Sequence, residues 1–421
     1  MILQAHEEFQ YYKIESGENL MFQILSLKNG LDNVHGFFSD ACNVGLRKPN
    51  KEKSVDGDVA FIRSETLCDV VARFTTNRFA AAPIRHFLNY PKGFQTDFVL
   101  INAKNANAMT GQKGVDDINL LLEKLQTKLA VTNPIMSSTG VIGYRLPLEK
   151  IASAFDNFDF DAKNSDKTAK AIMTTDTFKK ELCFRVELED GSYFHIGAIA
   201  KGAGMINPAM ATMLCFIITD AAIPRNDMDE LLGIATQESF NKISVDGDTS
   251  TNDSIFLLAN KTSNAYSKEA FGEALKKITF ELAMMVLKDG EGATKVVAFE
   301  VKGAANDAEA QKASMLLSNS LLVKTALFGE DPNWGRIAST IGASGIECNE
   351  DRLAIYYDEL LIYSRREGDT IAQDWEERAY KIMQQPSFRI LCDLGMGDGK
   401  YTSYGCDLSY DYVKINAEYR T

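Results

Sequence analysis

Lys201-Gly-Ala-Gly-Met-Ile-Asn-Pro-Ala-Met-Ala-Thr-Met-Leu-Cys-Phe-Ile-Ile-Thr-Asp220 is the stretch on which the reading of this chain turns. A glycine-rich turn leads into Asn207-Pro208, a turn pair. The run after Thr212 reads as a buried strand. Thr212 therefore stands at the start of a rigid element, behind a small residue and downstream of flexible glycines. That placement suits a hydroxyl nucleophile with backbone amides close by. It equally suits a β-branched residue that merely packs well on a pleated sheet. The stretch alone leaves both readings open.

Upstream, Phe184–Leu188 and Tyr193–Ile199 alternate apolar and polar residues around Asp190-Gly191, which predicts a hairpin. His195 falls within it and reads as a structural histidine. Before the hairpin lies a hydroxyl cluster, Met173-Thr-Thr-Asp-Thr177. Downstream, Met228–Phe240 reads as a helix capped by Asn226 or Asp227. Ser244–Asp253 is dense in carboxylates, hydroxyls and an amide, and enters a strand at Ser254–Leu258. A calcium loop needs Glu at its twelfth position; counted from Asp246 that residue is Leu257, which excludes an EF-hand. Ser267–Leu287 carries an apolar stripe at helical spacing. It ends in a turn where Glu291 lies between Gly290 and Gly292, free to approach a ligand or to stay solvated.

Further out, residues 1–75 read as short strands joined by polar turns, one of them the charged turn 50–58. Arg78 reads as a carboxylate clamp or a surface residue. Phe98–Ile101 is a buried strand running into the amide-rich Asn102–Ala108, and Asp116–Leu129 is an amphipathic helix. The segment 134–143 reads as a loop in which Thr139 precedes Gly140. A hydroxyl beside an unshielded amide supplies the two donors of an oxyanion hole, though an ordinary polar turn has the same composition. Toward the C-terminus the pattern predicts a strand at Val296–Val301, one helix over Asp307–Lys324 and a loop at Asp331–Arg336. Four more strands surround a helix near Asp374–Met383, and the tail after Asn416 reads as tied down.

The 421 residues are 45% hydrophobic, enough for two or three packed units, and carry a net charge of -13. That balance argues against nucleic-acid and anionic-membrane partners. Seven cysteines without CxxC spacing argue against disulfides and a zinc knuckle, and four scattered histidines offer little for a metal site. With no leader-like N-terminus and no membrane-length apolar run, the expectation is a cytoplasmic protein.

These stretches, in this order, resemble the ornithine acetyltransferase family (bifunctional arginine biosynthesis protein, glutamate N-acetyltransferase). The resemblance is carried by Phe74-Thr-Thr-Asn-Arg78, Asn105-Ala-Asn-Ala108, Ser138-Thr-Gly-Val-Ile-Gly143, Met173–Thr177, Lys201–Ile206 and Met210-Ala-Thr-Met-Leu214. It continues through Ser244–Asp253, Asp289–Lys295, Asp331–Arg336 and Ile415–Thr421. Departures from the usual pattern fall at Ala103-Lys104, Ala203 and Ala209.

The resemblance implies an αββα sandwich, layered like N-terminal-nucleophile hydrolases, with a second α/β domain. It implies self-cleavage between Ala211 and Thr212, so that 1–211 and 212–421 become two chains that stay together, in a heterotetramer of two pairs. Thr212 is then the acetyl-accepting nucleophile, and Thr139 and Gly140 the oxyanion hole. Thr175, Lys201, Thr212, Glu291, Asn416 and Thr421 contact the amino-acid substrate. The implied reaction moves acetyl from N2-acetylornithine to glutamate, with acetyl-CoA as an optional co-substrate and no metal or resident cofactor. An aminopeptidase or amidase on the same scaffold, and a non-reacting amino-acid-binding relative, are the alternatives.

Overall fold

The computed structural model describes residues 22–46, 57–207 and 213–418. Among these, fifteen strands form two sheets. The strands are β1 Phe22–Leu27, β2 Phe37–Cys42, β3 Val59–Phe74, β4 Gln95–Asn102, β5 Ile135–Ser138, β6 Lys180–Leu188, β7 Tyr193–Lys201 and β8 Leu214–Thr219. They continue as β9 Ile243–Ser244, β10 Ser254–Ala259, β11 Val296–Ala304, β12 Ala354–Tyr357, β13 Leu360–Ser364, β14 Ser387–Asp393 and β15 Gly399–Cys406.

The first sheet runs β1-β6-β7-β8-β10-β3-β4-β5, with β2 also paired to β3. The second runs β13-β12-β14-β11-β15-β9. In the first, β3 is one sixteen-residue strand rather than the short strands expected from 1–75. Its C-terminal half pairs with β10, and its N-terminal half with β2 and β4. The register shifts between Arg63 and Cys68, where an irregularity lets the strand bend from one layer into the other.

Period-two alternation sorts the side chains into three stacked cores. Leu214, Phe216, Ile218, Phe256 and Leu258 face inward against Ala60, Ile62, Val99 and Ile101 of the other layer. Cys215, Ile217, Ile255 and Leu257 face outward onto the helices Arg225–Glu238 and Lys268–Lys288. Phe61, Phe98 and Leu100 face outward onto the helix Gly111–Gln126. Helix, sheet, sheet and helix are therefore stacked as expected, and each fully buried large apolar side chain contributes about 1.5–3 kcal/mol. The second sheet has its own core, built of Val297, Phe299, Ile355, Ile390 and the helices that cover it.

Local readings differ at several places. The helix expected over Asp307–Lys324 is two, Asp307–Asn319 and Leu321–Phe328. Ser320 is extended between them and its side chain accepts from Val323 N to start the second. Trp334–Gly342 is a helix, begun by the Asn333 side chain accepting from Arg336 N, where a loop was expected. Ile135–Ser138 is a buried strand parallel to β4, not a loop. The helix expected from Asp116 starts at Gly111, because Asn107 Nδ2 donates to the Gly114 carbonyl and ties the added turn down. Most of the charged turn 50–58 lies outside the described residues. All seven cysteines are free thiols. Among the described residues no helix is long and apolar enough to cross a membrane.

Candidate functional site

Antiparallel β7 and parallel β10 flank β8, with Lys201 and Ser254 both opposite Leu214. One sheet edge thus gathers the end of β7 and the beginnings of β8 and β10. Ala211 and Thr212 lie outside the described residues, as does Thr421; Asn207 and Met213 border the gap. On the near side, Asp246 accepts the amides of Met205 at 2.6 Å and Ile206 at 2.9 Å. On the far side, the Met213 amide donates to Asp253 Oδ1 at 3.1 Å. The polar stretch excluded as a calcium loop therefore clamps the backbone on both sides of Thr212.

Beside this junction, Lys201 is buried, 3% exposed. Its Nζ lies 4.0 Å from Asp176 Oδ2. Asp176 also takes Lys180 Nζ at 2.7 Å and the Gly202 amide at 2.7 Å. Lys180 Nζ reaches Asp289 at 2.6 Å, and Asp289 accepts the Thr177 amide. Burial pushes the Asp176 carboxyl up, but Lys180, Lys201 and the Gly202 amide outweigh it and hold the group below its ordinary value. Burial pushes the Lys201 ammonium down, and Asp176 only partly restores it. Lys201 is thereby a loosely held cation at the end of a rigid strand. Thr175 is half-buried in the loop next to Asp176.

Glu291 closes the same edge. Its amide donates to the Ala203 carbonyl at 2.8 Å, and its Oε2 accepts from Asn416 Nδ2 at 2.8 Å. Asn416 sits on the helix Tyr410–Glu418, and the tail beyond it lies outside the described residues. A Cβ on Gly204 would fall 2.4 Å from the Glu291 carboxylate, so the glycine is what allows the approach.

The third component is the loop after β5. Thr139 is 4% exposed and its amide donates to the Asn102 carbonyl at 3.0 Å. Gly140 has φ +133°, and a Cβ there would lie 2.1 Å from the Lys104 carbonyl carbon. Only glycine fits, and its backbone stands bare. Asn252 Nδ2 donates to the carbonyls of Ser138 at 2.8 Å and Ala106 at 2.6 Å. The Thr139–Gly140 loop is thus fastened, through Ser138, to the residue beside Asp253. Lys201, Glu291 and Asn416 reach these strand ends along one path of contacts, Thr175 precedes Asp176 in the chain, and Thr139 and Gly140 follow Ser138, which Asn252 holds.

Asp176, Asp246, Asn252 and Asp253 were not singled out from sequence. The one available signal was the density of amides and carboxylates in Ser244–Asp253. Arg78 is exposed. His195 is buried and its Nδ1 lies 2.9 Å from Asp220 Oδ2. With His35 these groups form a set whose ligand atoms lie within 4.8 Å of one another, at the opposite end of β8 from Thr212. Hydrogen bonds from two backbone amides already engage the Asp220 carboxylate.

Residues 40–421 match the sequence profile described as the ArgJ family. The chain is 56% identical over 402 residues to the arginine biosynthesis bifunctional protein ArgJ of Wolinella succinogenes, covering 95% of this chain and 100% of that one. It is 41% identical over 361 residues to the glutamate N-acetyltransferase of Methanothermobacter thermautotrophicus, covering 83% and 90% respectively. A crystal structure of the arginine biosynthesis bifunctional protein argJ from Bacillus halodurans matches with 38% identity and a TM-score of 0.44, over 48% of this chain and 97% of that chain.

Proposed function

The chain belongs to the ArgJ family, and on that premise we propose that it moves an acetyl group from N2-acetylornithine to glutamate through an ester on Thr212. The observation that supports this reading is that Asp246 and Asp253 hold the backbone on either side of residue 212, while Lys201, the Glu291–Asn416 pair and the Asn252-fastened Thr139–Gly140 loop connect to the same strand ends.

The chain first opens itself. Thr212 Oγ attacks the Ala211 carbonyl, and water hydrolyses the resulting ester, leaving 1–211 and 212–421 associated. Residue 212 then carries an α-amine with a pKa near ~8. That amine takes the Oγ proton as Oγ attacks the acetyl carbonyl. Thr139 and the Gly140 amide receive the negative charge that develops on the carbonyl oxygen. The C–N bond of N-acetylornithine breaks, the α-ammonium returns its proton to the departing amine, and ornithine leaves. The glutamate amine then attacks the acetyl ester and the sequence runs in reverse.

Thr175, Lys201, Glu291, Asn416 and Thr421 hold the amino acid. A cation and a carboxylate close together match the α-carboxylate and the side-chain ammonium of N2-acetylornithine, whose α-nitrogen is acylated and uncharged. Acetyl-CoA serves as a second acetyl donor to the same threonine. Two cleaved pairs assemble into a heterotetramer that works in the cytoplasm.

Thr212→Ala is expected to give one uncut chain with no transfer, read by intact mass and by ornithine release. A fully active uncut variant would overturn the reading. Thr139→Val is expected to cost roughly 10²–10³ in transfer rate. Acetyl release that is as fast without glutamate as with it would make the enzyme a hydrolase instead.

A further inference from the structure

Lys180 of β6 is 0% exposed, and the reaction described above makes no use of it. An ammonium taken out of water must be matched by anions and hydrogen bonds, because its lost hydration is worth far more than any one contact returns. Lys180 is matched in full. Its Nζ donates to Asp176 Oδ1 at 2.7 Å, to Asp289 Oδ2 at 2.6 Å and to the Phe178 carbonyl at 3.4 Å, which accounts for all three protons. Asp176 lies in the loop before β6, beside Thr175, and Asp289 caps the end of the helix Lys268–Lys288. One buried cation thus ties the loop of Thr175 to the turn of Glu291.

The side chains of Asp176 and Asp289 are also 0% exposed. Both oxygens of Asp176 are held. Oδ1 takes the Gly202 amide at 2.7 Å as well as Lys180, and Oδ2 takes the Thr174 amide at 2.9 Å. Held in this way, Oδ2 stays 4.0 Å from Lys201 Nζ, too far for a hydrogen bond. Asp176 therefore supports the charge on Lys201 without closing onto it.

The count of charges makes Lys180 decisive. Two buried aspartates face two buried lysines, and Lys180 alone lies at hydrogen-bond distance from both carboxylates. Without it, the nearest cation left to Asp176 is Lys201. Closing that gap to a charge-assisted hydrogen bond takes a shift of roughly 1 Å, well within the reach of a flexible lysine stem. Lys201 would then be occupied by the protein itself.

Building on the assignment of Lys201 to the substrate α-carboxylate, we propose that Lys180 is a positioning residue for amino-acid binding: it engages Asp176 so that Lys201 stays open to the incoming carboxylate. The same ammonium holds Asp289 at the start of the turn from which the Glu291 amide donates to the Ala203 carbonyl, two residues beyond Lys201.

The test compares N2-acetylornithine with its α-carboxamide, which lacks the negative charge, as substrates of the transfer reaction. Ornithine and ornithinamide are compared in parallel by calorimetry, which needs no turnover. The wild type is expected to favour the acid in both assays. Lys180→Met keeps a side chain of similar length without the charge. It is expected to shrink the preference for the acid by roughly tenfold to a hundredfold, the usual worth of a hydrogen bond to a charged group, and mainly through KM. Lys180→Met combined with Asp289→Asn removes one buried charge of each sign. It should melt near the wild-type temperature, yet its preference should stay reduced, because Asp176 still has only Lys201 to turn to. This double variant carries the test where the single one does not fold.

A folded variant that keeps the wild-type preference overturns the proposal. So does an equal loss for acid and amide, or a double variant that does not fold or binds neither compound, since each marks a purely structural role. Lys201→Met is the control. Where it shrinks the preference and the Lys180 variants do not, this proposal alone falls. Where it leaves the preference intact, or the wild type shows none, Lys201 does not hold the carboxylate and the proposal falls with that assignment.

Discussion

Two fully buried aspartates mark the two ends of β8, and they are held in opposite ways. Asp220 follows the last residue of the strand; its Oδ1 accepts the His195 amide at 2.6 Å, and its Oδ2 takes His195 Nδ1 at 2.9 Å and the His35 amide at 3.4 Å. Asp253 precedes β10 at the other end, with one oxygen on the Met213 amide and the other bare. A carboxylate with both oxygens bonded fixes two pieces of backbone and one imidazole. A carboxyl with one unpartnered oxygen is pushed well above its ordinary value by burial. Burial is equal in the two cases, so it does not distinguish structure from chemistry; hydrogen-bond satisfaction does.

The contrast can be broken or sharpened by three substitutions. The largest effect is expected from Asp220→Asn, which removes a bonded buried charge and leaves amides facing a poorer acceptor. Unfolding free energy should fall by about 3 kcal/mol in chemical denaturation. The pH profile of chain opening should stay as it is. If that profile shifts instead, the far end of β8 is not merely structural.

His195→Phe should cost less, about 1.5–2 kcal/mol, since it deletes one hydrogen bond to a charged group while keeping a ring in the buried site. A silent substitution would mean that the His35 contacts suffice to hold Asp220.

The smallest effect on stability, and one of opposite sign, is expected from Asp253→Asn. Its folded pKa is raised. As pH rises above about 4, the unfolded carboxyl releases its proton before the folded one does. Keeping the protonated carboxyl buried then costs stability, and the cost grows until pH passes the folded value. Asparagine does not ionise, so the variant should gain on the wild type over that range and match it in acid. Parallel stability curves for the two chains would show that Asp253 is not held protonated.

Much of the sheet was legible. The hairpin of β6 and β7 could be read because alternation around Asp190-Gly191 is a local pattern. β8 could be read because its apolar run is short and bounded by turn residues. The break at Ser320 was not, since the apolar spacing continues across it and only the local cap reveals the change. Of the site residues, Glu291 was visible as a charge set between glycines, and Lys201 entered only through the family resemblance. Asp176 was quoted only as part of a hydroxyl cluster, because its role depends on Lys180 and Lys201 converging on it from β6 and β7.

By itself, the sequence determined single elements such as the β6–β7 hairpin, β8 and the long helix Lys268–Lys288, because side-chain periodicity is a property of neighbours along the chain; the layered architecture followed only from the family resemblance. It also determined the family, because the motifs are collinear over nearly the full length. Tertiary structure decided which buried carboxyl oxygens among the described residues are hydrogen-bonded and which one is not. That depends on partners as distant along the chain as Asn252 and Ser138, or Asp253 and Met213. A hydrogen bond is a relation between atoms in space, and only the fold sets those distances.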